Sequence, residues 1–278
     1  MEVTHEATIS GPRGYAFSAT VLGPQFQLIE RSLFPRLKSE WRRARRGHRT
    51  PAVSGTFFST SGRLIVRQAF DIFCAAIGLI LLSPLLAILA LAIKLEDGGP
   101  VFYSQLRVGK DFSGFRFLKF RSMVPDADRL APLTTRSDPR VTRVGKIIRR
   151  LKLDELPQLF NVVKGDMQLV GARPELERYV QMFRLQYAII LADRPGITDP
   201  ATLVYRQEER SMPVEDVEKH YVTRILPYKL LLSVEYSRRR TFISDLGIIF
   251  RTILGRDSVP GYSDLATGLP ETRRNLGG

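Results

Sequence analysis

Along most of this chain apolar and polar positions alternate at short range, but one stretch does not alternate at all. Ile72–Ile93 is 22 residues without a charge, and Ser83 is its one polar side chain. A core helix of a soluble domain keeps a polar face, which this stretch lacks. Its length also meets the roughly 20 apolar residues needed to reach across a bilayer core. Ser83-Pro84 stands at its midpoint, where Pro84 removes a helix hydrogen bond and crowds the preceding turn. Each arm is then about a dozen residues, the length of a re-entrant segment. Arg63 and Arg67 precede the run, and Lys94, Arg107, Lys110, Arg116, Lys119 and Arg121 follow it. A spanning helix usually has one basic flank, so basic flanks on both sides predict a re-entrant hairpin, with a kinked spanning helix as the alternative.

Beyond it, Val101–Met123 reads as short strands and turns rich in Phe, Gly and basic residues, and residues 142–164 carry a helical pattern ending at Gly165. Residues 214–254 read as two amphipathic helices with Tyr, Leu and Ile on one side and Lys or Arg on the other, suited to a core or to an interface plane. The fold class is α/β, mostly α with a few short strands. It comprises a basic N-terminal segment over 1–62, expected to be disordered, a membrane segment over 63–95, a compact catalytic domain over 96–254 and a flexible tail over 255–278. No apolar run stands at the N-terminus, so a cleavable secretory signal is not expected.

Charge sharpens this picture. The 278 residues carry a net charge of +14, which points to a polyanionic partner: nucleic acid, an anionic bilayer or a phosphate-rich substrate. Residues 1–67 hold eleven Lys and Arg against four Asp and Glu, densest at Arg42, Arg43, Arg45, Arg46 and Arg49. A basic stretch just before an apolar segment suits anionic lipid as well as a solvated tail. Cys74 is the one cysteine, which excludes an internal disulfide, and His5, His48 and His220 have no metal-ligand spacing.

Familiar nucleotide-loop, nucleophile-elbow and zinc-helix signatures are missing, and the chemistry must come from acidic pairs set among cations. In Arg149-Arg150-Leu151-Lys152-Leu153-Asp154-Glu155-Leu156-Pro157-Gln158, Pro157 suits a first helical turn, which places Asp154 near a helix N-terminus. One carboxylate could attack phosphorus while the other holds a divalent cation; alternatively the pair is an acidic turn matched to its own arginines. Lys119 and Arg121, two apart on a strand, would share a face and clamp a diphosphate, or form a solvated basic edge. In Gly171-Ala172-Arg173-Pro174-Glu175, Arg173 could fork onto a phosphate oxygen, or the segment is a plain surface turn.

Taken in order, these segments resemble the bacterial sugar transferases, the monotopic polyisoprenyl-phosphate hexose-1-phosphate transferases. The resemblance runs from about Arg67 to Thr252. It is carried by Phe70-Asp71-Ile72, Ser83-Pro84, Gly99-Pro100-Val101-Phe102-Tyr103-Ser104-Gln105, Arg107-Val108-Gly109 and Lys119-Phe120-Arg121-Ser122-Met123. Asp138-Pro139-Arg140-Val141-Thr142, Gly145, Leu153-Asp154-Glu155-Leu156-Pro157-Gln158, Asn161-Val162, Lys164-Gly165-Asp166-Met167 and Arg194-Pro195-Gly196-Ile197-Thr198 complete it. Ala172 stands where the family usually has proline, which loosens the turn around Arg173.

The resemblance implies a re-entrant membrane helix on the bacterial inner membrane, with the catalytic domain on the cytoplasmic face. It implies that Asp154 attacks the sugar-proximal phosphate of a UDP-sugar, releasing UMP, and that a polyprenyl phosphate takes the phosphosugar. Glu155 would hold Mg²⁺, Lys119, Arg121, Arg173 and Arg150 (or Arg149) would bind phosphate, and Asp71 would anchor the helix entrance. The product would prime an exopolysaccharide or related surface glycan; the identity of the sugar and the oligomeric state are left open. Nucleic acid is not expected as a partner. The competing readings are a membrane-anchored basic protein binding nucleic acid or lipid, and an inactive scaffold of the same family.

Overall fold

The computed structural model describes residues 61–257 apart from 126, 128–132, 135–137, 207–211 and 214, together with 259, 262 and a two-residue antiparallel pairing of Ile9–Ser10 with Ala16–Phe17. The rest of the basic segment and most of the tail lie outside the described residues. The apolar stretch forms the longest helix, α1 (Ser61–Asp97), 37 residues and about 55 Å long. The helix runs on through Pro84, and the re-entrant hairpin expected at Ser83-Pro84 is not shown. A contact beside the proline supports the helix there. Pro84 has no N–H for the carbonyl of Ile80, and the Ser83 hydroxyl donates to that oxygen at 2.8 Å instead. By length and composition Ile65–Asp97 is long and apolar enough to cross a membrane.

α1 is tied to the rest of the chain along its whole length. Near its start Arg67 pairs with Asp245, and Gln68 accepts from Arg194 at 3.0 Å. Ala75 is fully buried against Phe115, Phe117, Val162 and Met167. Leu89 and Ile93 pack on Phe120 and Ile148. At its end Glu96 accepts from the backbone N–H of Arg143 (2.7 Å) and Val144 (3.3 Å), satisfying donors that the next helix leaves open.

Strands β1 (Phe102–Val108) and β2 (Gly114–Phe120) pair antiparallel, with Gln105 opposite Phe117 and Tyr103 opposite Lys119. The helical pattern over 142–164 is split in two: α2 (Arg143–Arg150), capped by Thr142, and α3 (Gln158–Lys164), with a 3₁₀ turn Leu153–Glu155 between them. Lys152, at φ 58°, reverses the chain before that turn, and Gly165, at φ 85°, ends α3 as its position in the sequence predicts. β3 (Gln168–Val170) and β4 (Gly196–Thr198) form a short parallel pair. Between them lie α4 (Glu177–Met182) and α5 (Arg184–Ile190). α6 (Pro200–Val204) follows β4, then α7 (Val217–His220), a π-helical turn Tyr221–Ile225 and α8 (Leu226–Arg239). α9 (Phe242–Ile253) closes the order. The main core packs α4 and α5 through Tyr179, Phe183, Tyr187 and Ile190 against Tyr221, Ile225, Leu226 and Leu230.

The architecture is thus mostly helical with a few short strands, and one apolar helix is a candidate for the membrane. β4 comes so close to the loop after β3 that a Cβ on Gly196 would lie 2.1 Å from the Gly171 nitrogen, whereas one on Gly247 in α9 would meet nothing within 4 Å. Gly196→Ala is therefore expected to cost at least ~1–3 kcal/mol through forced backbone movement. Gly247→Ala should gain up to ~1 kcal/mol by helix propensity. Thermal unfolding in detergent checks both; equal effects would contradict this packing.

Candidate active site

Three elements converge beside the middle of α1. β2 brings Lys119, the 3₁₀ turn brings Asp154 and Glu155, and the loop after β3 brings Arg173. Asn161 of α3, 1% exposed, fixes the first two relative to each other: its amide accepts from Leu118 N–H at 3.0 Å and donates to the Arg116 carbonyl at 2.7 Å. The hairpin edge is thereby docked onto the helix that follows the acidic turn. Lys119 then reaches Glu155 at 3.3 Å and Asp154 at 3.7 Å. Arg173 grips Glu155 with two parallel hydrogen bonds, 2.9 Å to Oε2 and 2.5 Å to Oε1.

The two carboxylates differ although they are adjacent. Burial pushes the Asp154 carboxyl up, and Lys119 only partly offsets it while the charge of Glu155 adds to it. Burial also works against Glu155, but Arg173 and Lys119 outweigh it and hold that carboxyl well below the usual range. Asp154 is 5% exposed, and its Oδ1 is buried without a hydrogen-bond partner. An unsatisfied oxygen beside a cation, at the edge of a cavity, is suited to meeting an electrophile or a cation.

The cavity is about 580 Å³, and Phe117, Lys119, Arg121, Arg149, Asp154 and Arg173 are among its lining residues. Phe117 is its floor: Arg107, Lys119 and Arg173 lie 5.8, 5.6 and 5.7 Å from its ring centroid. Three cations thus surround one aromatic ring, each paired with a carboxylate: Arg107 with Glu175, Lys119 with Asp154 and Glu155, and Arg173 with Glu155.

Of the residues singled out in the sequence, Lys119, Asp154, Glu155 and Arg173 meet directly. Arg121 lines the same cavity as Lys119, its backbone N–H bonded to the Val101 carbonyl at 2.9 Å just past β2, but its side chain pairs with Asp97, at the end of α1. Arg150 is exposed and does not line the cavity; Arg149 does, one residue and about 100° earlier on α2. Asp71 is buried beside Arg240 and Arg67, where it accepts a hydrogen bond from the Leu169 backbone. Ser83 and Pro84 lie in α1 and are not among the cavity's residues.

Sequence reasoning assigned no chemistry to a second cluster. Arg107 donates to Glu175 at 3.0 Å and to Gln105 at 2.8 Å; Tyr221, on the π turn, donates to the other oxygen of Glu175 at 2.5 Å. Both ends of this link were present in the motif series, as Arg107-Val108-Gly109 and the residue after Arg173-Pro174. Tyr221 carried no signal, since a π turn is invisible in hydropathy. The link fastens β1 to the loop that presents Arg173.

Magnesium takes hard oxygen donors, one or two of them protein carboxylates, and completes its shell from phosphate and water. Of the pair only Asp154 has an unpartnered oxygen, Oδ1; both Glu155 oxygens are held by Arg173, so Glu155 would meet a cation by exchanging that partner. Among the described residues no group of three or more His, Cys, Asp or Glu could cage an ion without such outside donors.

The cleft thus sets a buried carboxylate pair among cations, against a long apolar helix. The chain belongs to the bacterial sugar transferase family, which matches residues 62–256. It is similar to the undecaprenyl-phosphate glucose phosphotransferase of Komagataeibacter xylinus, 40% identical over 207 residues, 68% of this chain and 35% of that protein. It is also similar to exopolysaccharide production protein ExoY of Sinorhizobium fredii (34% over 233 residues, 78% of this chain and 96% of ExoY). The UDP-glucose:undecaprenyl-phosphate glucose-1-phosphate transferase of Escherichia coli is 37% identical over 194 residues, 68% of this chain and 39% of that protein. The chain thus spans little more than a third of the length of the two phosphotransferases and nearly all of ExoY.

The raised Asp154 carboxyl makes a signed prediction. The folded state holds this proton more tightly than the unfolded chain, so the group's effect on stability worsens as pH rises from the ordinary value of 3.8 through the raised one. Asp154→Asn is expected to raise Tm at pH 8. The gain should vanish as pH falls to the ordinary carboxylate value. Scanning calorimetry across pH checks this, and an unchanged or lowered Tm at pH 8 would contradict it.

Proposed function

We propose that the protein is a phosphotransferase that moves a sugar 1-phosphate from a UDP-sugar to undecaprenyl or a related polyprenyl phosphate, opening the synthesis of an exopolysaccharide or other surface glycan. The observation that carries this reading is the Asp154 carboxylate, buried with one oxygen unpartnered beside Lys119 and next to the Arg173–Glu155 pair. Family membership and the names of the relatives supply the substrate classes.

The residues suit a double displacement. An Asp154 oxygen attacks the sugar-proximal phosphorus; the new P–O bond forms as the bond to UMP breaks, and UMP leaves with the electron pair. An oxygen of the lipid phosphate then attacks the same phosphorus, and the bond to Asp154 breaks, restoring the carboxylate. A diphosphate is repelled by a carboxylate nucleophile, and Lys119 and Arg173 offset that repulsion and the charge of the transition state. Glu155, with the adjoining Asp154, would hold Mg²⁺, whose contribution is further neutralisation of phosphate charge.

The same reading places the enzyme on the cytoplasmic face of the inner membrane. Both ends of α1 are bound to one domain, through Arg67 and Gln68 at its start and Glu96 and Asp97 at its end. A helix crossing the bilayer would put its ends about 30 Å apart on opposite sides. Phe73, Ile77, Leu81, Ile88 and Leu91 of α1 are exposed, as are Phe242, Ile243, Phe250 and Ile253 of α9. We read α1 as seated in one leaflet, with α9 against the same surface.

Purified protein with a UDP-sugar, Mg²⁺ and polyprenyl phosphate is expected to release UMP, and Asp154→Asn to lower that rate by roughly a thousandfold or more. Full turnover by the variant would refute the nucleophile. In a Cys74→Ser background, Ile65→Cys and Lys94→Cys should both react with an impermeant thiol reagent from the cytoplasmic side of sealed vesicles. Labelling of the two from opposite sides would show that α1 spans.

A further inference from the structure

We propose that the corner formed by Arg121, Gly99 and Asp97 is the seat of the lipid acceptor's phosphate, distinct from the donor clamp of Lys119 and Arg173; the inference rests on the reaction proposed above. Arg121 lines the same cavity as Asp154, yet the partner it pairs with is Asp97 rather than either site carboxylate. It is 6% exposed, and its Nε and one terminal nitrogen are buried without a hydrogen-bond partner. Buried guanidinium donors left unmatched call for an acceptor, and phosphate oxygens match a guanidinium fork best.

The seat is shaped for this side chain. A Cβ on Gly99 would lie 2.0 Å from the Arg121 terminal nitrogen and 2.8 Å from its Cζ, so the guanidinium rests directly against bare backbone. Asp97, its present counterion, keeps 30% of its side chain in solvent, so it can be rehydrated when another anion takes the arginine. The neighbourhood then selects among anions. Phe102, stacked on Phe120, and Val124 are exposed apolar groups that line the same cavity. A nucleotide sugar gains nothing from such a rim. A phosphate monoester on a long prenyl chain uses both parts, with its head on Arg121 and its first isoprene units against Phe102 and Val124.

The two half-reactions separate the roles. The first is read as UMP released in a single turnover without acceptor. The second is read as loss of the phosphosugar from Asp154 on adding polyprenyl phosphate. Arg121→Gln is expected to slow the second at least about tenfold more than the first, and Gly99→Ala, which displaces the same guanidinium, to do likewise. Inorganic phosphate should not replace the lipid in the second step; if it does, the corner is a general anion seat and the lipid assignment is overturned. Equal slowing of both steps by Arg121→Gln would assign the corner a structural role and overturn the proposal. A wild-type protein that forms no phosphosugar at all would remove the underlying reaction instead, a result distinct from either.

Discussion

Two adjacent carboxylates beneath a protein surface repel each other and lose their water, and the structure around Asp154 and Glu155 exists to make that tolerable. Glu155 is neutralised by a bidentate Arg173 and by Lys119, so its charge is secure. Asp154 lies farther from the same lysine, with Arg149 and Lys152 as further cations in its surroundings. The asymmetry leaves one carboxylate fully paired and the other with an unpartnered oxygen, the one the proposed reaction uses. Neighbouring groups whose environments push their acidities apart take different chemical parts.

Delivering those cations explains much of the fold. The hairpin must reach the acidic turn, which Asn161 enforces by gripping the β2 backbone. The loop carrying Arg173 must point inward, and Arg107 and Tyr221 hold Glu175, two residues further on, from opposite sides. That restraint bears on Ala172, where the turn lacks a proline: side-chain bonds supply the rigidity that the ring would have given. The apolar helix is part of the same machinery. It packs beneath Phe117 through Ala75, caps α2 through Glu96 and ends at Asp97 on Arg121. The apolar helix and the acidic turn are thereby joined through direct contacts.

Much of this was legible in the sequence because it is local. The charge-free run, the glycine ending α3, and the carboxylate pair before Pro157 each announce themselves within a few residues. What escaped depends on partners far apart in the chain. Ser83 lets the helix run on through Pro84, its hydroxyl meeting the Ile80 carbonyl that the proline leaves open. Arg121 shares the cavity with Lys119 as strand alternation suggests, but its pairing with Asp97, 24 positions earlier, is not local. Arg149 and Arg150 could be told apart only by the direction of α2. The Glu175 cluster needed a contact across 46 residues to a tyrosine on a π turn.

The account stands on Asp154 acting as a phosphorus-directed nucleophile. The most direct measurement is intact-protein and peptide mass spectrometry after incubation with a UDP-sugar and Mg²⁺ in the absence of any lipid acceptor. The account predicts one phosphosugar per chain, on the peptide containing Asp154, which disappears when polyprenyl phosphate is added. Turnover to lipid-linked product with no adduct on that peptide would contradict it.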